Sequence, residues 1–306
     1  MEIFSVLLSK VFVLYLVIVL GYGAGRWLGT RKESIASLLI YILVPVVYME
    51  GALKARLEMQ FLVLPLLFFG LCCLASFLIF ISSKPVFGSP QCNLLAYAGA
   101  ICNNGYLGIP LGLALFGDGA LPMLVLCGFG ITIFEATFGI YVLARGRYSV
   151  RDSIIKLLRL PVCYALVLGI LLNYLGVELN APLADLALKF RGAYTVLGMM
   201  LIGLAVADMG RTKFDWAFNI FLLGWKFICW PLGVLILLYL DGHFVGLFQG
   251  DTRRIIFFIS TLPLAASTVV FATLFDIEPE KTSLAVLLST LLALLAVPLF
   301  NALIVL

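Results

Sequence analysis

Charge is scarce in this sequence. Lys and Arg number 20 and Asp and Glu 16, so that 12% of the 306 residues are charged, against roughly 25% in a soluble domain. With 63% hydrophobic residues and a mean hydropathy of +1.16, no globular core could absorb the apolar sequence, and lipid is the solvent for most of it. Histidine occurs once, as His243 in a polar loop. The seven cysteines (Cys72, Cys73, Cys92, Cys102, Cys127, Cys163 and Cys229) lie scattered through apolar segments without a CxxC pair. A zinc site or a disulfide framework is excluded on those grounds, and no metal or other cofactor is expected.

Gly-x-Ser-x-Gly and Walker A motifs are missing as well, and no second acid sits near Glu135 in the sequence. These absences argue against a membrane-embedded enzyme, so no catalytic residue is assigned, and against ATP-driven transport by this chain alone. No soluble domain fits between the apolar runs, which disfavours a sensor or receptor with an output module. Met1–Lys10 has no basic region ahead of a short apolar core, so the first helix is read as retained rather than cleaved. The net charge of +4 implies no nucleic-acid partner, because loop lysines and arginines serve to orient a membrane protein.

What is present is a series of long apolar runs. A hydrocarbon core takes about 20 apolar residues per helix, and the runs predict ten transmembrane helices near 4–25, 34–51, 60–82, 92–116, 120–143, 153–176, 193–210, 216–240, 255–275 and 282–305. The apolar stretch from Pro182 to Phe190 is expected to precede the seventh as an interfacial segment. With the N-terminus outside, the cytoplasmic loops collect 12 basic residues and the opposite loops 6. The positive-inside rule therefore places both termini extracytoplasmic in the plasma (inner) membrane, with the basic loop Arg145–Arg159 inside.

That loop divides five helices from five, and an odd number per half makes the halves inverted if they are repeats. Val19-Leu20-Gly21 in the first helix is echoed by Val167-Leu168-Gly169 in the sixth. Pro110 in the fourth is echoed by Pro263 in the ninth, 263 − 110 = 153 residues on. The expected fold is all-α, two inverted five-helix repeats over 1–146 and 147–306.

The fourth helix carries Cys102-Asn103-Asn104-Gly105-Tyr106-Leu107-Gly108-Ile109-Pro110. Adjacent asparagines in mid-membrane are costly without partners. Proline removes a backbone hydrogen bond, and the glycines weaken the same turn. A break is expected near Pro110, and a second near Pro263 in Ser260-Thr261-Leu262-Pro263, followed by Ala265-Ala266-Ser267-Thr268. Paired broken helices at matching positions are the strongest sequence pointer to a transporter binding site. Each half-helix beyond a break offers free N–H donors and a partial positive charge, which suit a carboxylate. The candidate substrate-binding residues are therefore Asn103, Asn104, Gly105, Tyr106, Pro110, Thr261, Pro263 and Ser267. Glu135 and Lys226 lie near helix midpoints and are candidates for a coupling site or a neutralising charge pair. Glu50 and Asp208 are expected to snorkel from helix ends.

These residues resemble the auxin efflux carrier family, which includes plant auxin exporters and bacterial permeases for malate or malonate. Asn103-Asn104-Gly105-Tyr106-Leu107-Gly108-Ile109-Pro110 fits the family's fourth-helix pattern, and Leu115-Phe116-Gly117 follows it. Leu20-Gly21-Tyr22, Tyr41-Ile42-Leu43-Val44-Pro45, Leu201-Ile202-Gly203, Lys226 with Pro231, and Ser289-Thr290-Leu291-Leu292 through Val297-Pro298-Leu299 extend the likeness over nearly the whole chain. Asn104 stands where many relatives have threonine, and the seventh helix lacks a proline near Leu197-Gly198. The resemblance implies broken helices four and nine crossing at their prolines, a scaffold of helices one, two, six and seven, a transport domain of the rest, and a homodimer in lipid. The function so implied is secondary or uniport movement of a small mono- or dicarboxylate by alternating access, with a proton or sodium ion as coupling partner. A sodium-coupled symporter of the bile acid carrier type is the nearest alternative, and an ion channel is left open by the sequence.

Overall fold

A computed structural model of the chain describes residues 2–55, 58–143, 161–207, 214–274 and 277–303. Every regular element among them is helical: α1 (Glu2–Leu28), α2 (Lys32–Leu53), α3 (Met59–Ser83), α4 (Ser89–Ala100), α5 (Ile109–Phe116), α6 (Asp118–Leu143), α7 (Pro161–Tyr174), α8 (Ala181–Ala207), α9 (Trp216–Val245), α10 (Asp251–Ser260), α11 (Ser267–Leu274) and α12 (Pro279–Leu303). The basic loop Arg145–Arg159, Asp208, Arg211 and Lys213 lie outside the described residues.

Seven helical stretches among the described residues are long and apolar enough to cross a bilayer: α2, α3, the α4–α5 stretch, α6, α8, α9 and α12. The chain is a multi-pass membrane protein. Ten spans were expected from sequence, and one of the differences has a local cause: the expected ninth helix is divided into α10 and α11 of 10 and 8 residues. α1 is itself 27 residues long, and the described part of the expected sixth helix begins at Pro161.

One expectation is corrected outright. The stretch from Pro182 to Phe190 is not a separate interfacial segment but the start of the continuous helix α8. Proline near a helix start removes an N–H that would have no intrahelical partner anyway, and the Asn180 side chain accepts the Leu183 N–H at 3.0 Å. The helix is therefore nucleated at Ala181 and runs through.

Three other prolines are absorbed by widened turns, while Pro65 and Pro298 sit within regular helix. π turns span Leu39–Leu43, Asn104–Gly108 and Trp225–Cys229, and each is followed two residues later by a proline: Pro45, Pro110 and Pro231. Pairing i to i+5 lets the helix pass the point where a proline cannot donate. Pro110 consequently does not break the chain. The break lies upstream at residues 101–103, and Pro110 is the second residue of α5. Pro263, by contrast, lies inside the second break at residues 261–266.

Helix packing follows the small residues, as expected where apolar burial gives little drive between helices in lipid. α1 packs along α8, α2 along α7, and α3 against α4 and α6. A Cβ at Gly203 of α8 would fall on the Ile18 carbonyl oxygen and lie 2.5 Å from the Tyr22 nitrogen. A Cβ at Gly21 would likewise meet the Met200 backbone, so α1 and α8 touch backbone to backbone. At the α7–α2 crossing Gly169 does the same job, 2.6 Å from the Met49 carbonyl. Asp215 precedes α9, accepts the Phe218 N–H at 3.1 Å and pairs with Lys281 at 3.1 Å. The Phe218 N–H and then Lys281 hold its carboxyl below the usual range.

Candidate functional site

The two breaks meet. Ile101 is extended (φ −107°, ψ 160°), which ends α4. Asn103 then caps the next turn, its Oδ1 accepting the Tyr106 N–H at 3.2 Å, the role for which asparagine is favoured. The Asn103 backbone N–H donates across to the Pro263 carbonyl at 2.9 Å. That bond gives an otherwise stranded donor and acceptor a partner in mid-bundle, where an unpaired group would be costly.

Side chains satisfy the other groups freed by the breaks. Lys226 Nζ donates to the Ile101 carbonyl at 3.1 Å, and Trp230 Nε1 to the Gly99 carbonyl at 2.6 Å. Both residues belong to α9, so one face of α9 caps the end of α4. At the second break Thr261 Oγ1 returns to the Phe258 carbonyl at 2.7 Å, and Ser289 Oγ accepts the Leu264 N–H at 3.2 Å.

Beside the crossing lies a cavity of about 440 Å³. Of the residues predicted from sequence, Asn103, Asn104, Gly105, Tyr106, Ser267 and Glu135 line it. Pro110, Thr261, Pro263 and Lys226 do not: the prolines shape the chain, while Thr261 and Lys226 cap carbonyls. Glu135 and Lys226 are not a charge pair, for no ion pair joins them among the described residues. Glu135 instead accepts a hydrogen bond from the Tyr97 hydroxyl at 3.2 Å, with the Ser267 side chain close by.

Sequence reasoning missed Tyr48, Thr132 and Tyr194, which complete the polar lining. Tyr48 lies near Thr132, whose hydroxyl donates to the Gly128 carbonyl at 3.0 Å, and Gly128 makes room for both Tyr48 and Asn104. A Cβ at Gly128 would fall on Asn104 Nδ2 and lie 2.7 Å from Tyr48 Oη. The available signal was weak: single hydroxyls inside apolar runs.

Three polar atoms among these residues are buried without a partner: Asn103 Nδ2, Asn104 Oδ1 and Tyr194 Oη. Asn104 uses its other end, donating to the Leu124 carbonyl at 2.9 Å. The opening turn of the α5 segment (Asn104, Gly105) and the first residue of α11 (Ser267) both border the cavity. Two helix N-termini, each carrying a partial positive charge, thus border one space, although the Asn104, Tyr106, Thr268 and Val269 N–H groups already donate to nearby oxygens.

The cavity extends toward Ile40, Ile140 and Val162, near the end of α6 and the start of α7. At the other end of the bundle stands a charge cluster. Glu50 in α2 is 2% exposed and accepts Lys54 Nζ at 2.7 Å, with Arg191 of α8 at 3.8 Å. Arg191 also pairs at 3.0 Å with Asp118, the first residue of α6. Glu50 was expected to snorkel and is instead buried and paired.

The sequence pattern of the membrane transport protein family matches residues 146–301, just over half of the chain and including Pro263, Ser267 and α9. The chain belongs to this family, the auxin efflux carriers. It is also similar to an uncharacterized transporter of Methanocaldococcus jannaschii, 25% identical over 307 residues that cover 96% of this chain and 97% of that one. The auxin efflux carrier membership makes the chain a membrane transport protein, and of the residues that drew the resemblance in the first half, Tyr41, Val44 and Asn103 to Tyr106 line the cavity beside the crossing.

Proposed function

We propose that this auxin efflux carrier family member is a secondary carrier for a small organic mono- or dicarboxylate, working by alternating access. The observation that carries the reading is the unpartnered Asn103 Nδ2, at a cavity where two half-helix N-termini converge. Donors without partners and positive dipole ends suit a carboxylate, which accepts several hydrogen bonds at once.

The packing supports a division of labour. α1, α2, α7 and α8 contact one another as a frame, while both breaks and the cavity's Glu135 lie in α4–α6 and α10–α11. Gly21 and Gly169, which are 169 − 21 = 148 residues apart, sit at the matching α1–α8 and α7–α2 contacts, in keeping with an inverted repeat.

The test is a melting-temperature screen of the purified protein against acetate, lactate, malonate and malate, with amines as controls. A ligand at 100 times its Kd stabilises the folded state by about 2.7 kcal/mol, a shift of several degrees. A carboxylate is expected to give that shift. Stabilisation by amines alone would refute the anion reading.

On this reading Arg191 latches the frame to the moving part through Asp118, at the end opposite Ile140. The Asp118 side chain is 76% exposed, so the pair is worth about 1 kcal/mol or less. Arg191→Gln is expected to raise the opposite-facing population up to about fivefold. In a variant keeping Cys102 as its sole cysteine, impermeant thiol labelling from the Asp118 side should rise by that factor. An unchanged rate would remove the latch.

A further inference from the structure

We infer that Glu135 is a proton-binding site, and that the proton it carries enters the cavity together with the substrate anion. This rests on the carboxylate reading above and names the ion that accompanies the carboxylate.

The chain shows in Glu50 how it treats a structural buried acid: Lys54 and Arg191 both stand beside it. Glu135 is treated differently. The Tyr97 hydroxyl from α4 donates to it at 3.2 Å, the Ser267 hydroxyl from α11 lies beside it, and no ion pair reaches it among the described residues. The other titratable groups facing it are Tyr48 from α2, Cys72 from α3, Cys102 in the first break and Tyr106 in the π turn that follows. Thiols and phenols are uncharged near neutral pH, so none supplies a countercharge. Lys226 in α9 lies within electrostatic range of Cys72 and Cys102 and donates to the Ile101 carbonyl, but it is not among the groups that act on Glu135.

A hydroxyl can donate to a carboxylate or accept from a carboxylic acid. The Tyr97 and Ser267 pair therefore serves Glu135 in either protonation state, whereas a lysine or arginine would fix it as an anion. Position adds the second half of the argument. Glu135 opens a π turn in α6 (Glu135–Gly139) and lines the same cavity as Asn103. Two carboxylates about 8 Å apart at an effective dielectric constant near 20 repel by enough to weaken binding roughly thirtyfold. The anion binds when Glu135 carries its proton, and loss of that proton helps to expel the anion.

The experiment measures the affinity of the purified full-length protein and of Glu135→Gln for acetate, lactate, malonate and malate between about pH 7 and 9, where all four are ionised. Glutamine keeps the size and mimics the protonated acid. Wild-type affinity is expected to fall by up to about tenfold per pH unit above the titration of Glu135, and the variant to stay flat and tight. Calorimetry in buffers of different ionisation enthalpy should show uptake of a proton on binding by the wild type at high pH and none by the variant. Equal pH profiles, or a flat wild-type profile without proton uptake, overturn the assignment. Loss of carboxylate binding by Glu135→Gln at every pH, with an unchanged melting temperature, overturns it too, because the charged form would then be required. If wild type binds none of the four at any pH while amines bind, the carboxylate reading itself fails, an outcome distinct from the others.

Discussion

Replacing Asn103 by aspartate is expected to leave the fold standing and to remove the ligand. The side chain has two jobs at its two ends. Oδ1 accepts the Tyr106 N–H at 3.2 Å and so caps the turn that leads into α5, while Nδ2 is buried with no partner. Aspartate caps as well as asparagine, and the backbone N–H still reaches the Pro263 carbonyl. The cap should therefore survive, and a fall in the melting temperature without ligand would report the cost of a buried carboxylate rather than loss of the cap. The end facing the ligand changes from donor to acceptor. A hydrogen bond to a charged group is worth roughly 1.5–3 kcal/mol, so its loss weakens carboxylate binding about tenfold to a hundredfold, and repulsion adds to this. Asn103→Ala gives the complementary result, losing the cap at a cost of about 1 kcal/mol along with the donor. Affinity and ligand-free melting temperature measured on the same preparations separate the two. Unchanged affinity in Asn103→Asp would leave Asn103 a cap and nothing more.

The breaks were legible in the sequence because their causes are local. Asparagine, glycine and proline in one apolar run oppose a regular helix whatever surrounds them, and Glu135 is conspicuous because an acid in mid-membrane is expensive. Other features depend on what lies across the bundle. The sequence around Pro110 does not reveal that a π turn carries it, so the predicted break was displaced to residues 101–103. Lys226 looked like a coupling group, but its role depends on the Ile101 carbonyl, 125 residues away, needing a donor. Tyr48, Thr132 and Tyr194 read as ordinary core residues until tertiary packing places their hydroxyls on one cavity. Composition could not distinguish an interfacial segment at Pro182 from the first turns of α8, because proline suits both.

Gly203→Ala should give the largest loss of stability, and the reason reaches back to how the frame is built. A Cβ there would collide with backbone atoms of α1: the Ile18 carbonyl oxygen, the Tyr22 nitrogen and the Gly21 carbonyl carbon. Side chains can rotate away from a new methyl group, but a helix backbone has to move as a body. The cost should therefore lie at or above the upper end of the 1–3 kcal/mol usual for overpacking. Gly233→Ala in α9 is the control, since nothing lies within 4 Å of its would-be Cβ. There the helix propensity of alanine should stabilise by roughly 0.5–1 kcal/mol. Melting temperatures in detergent should thus move in opposite directions for the same chemical change. If α1 and α8 form a frame that stays put while the cavity elements move, Gly203→Ala should lower the folded yield but leave the carboxylate affinity of the folded fraction intact. A fall in affinity that accompanied the fall in stability would instead mean that the α1–α8 contact is part of the moving machinery, and the division of the bundle would have to be redrawn.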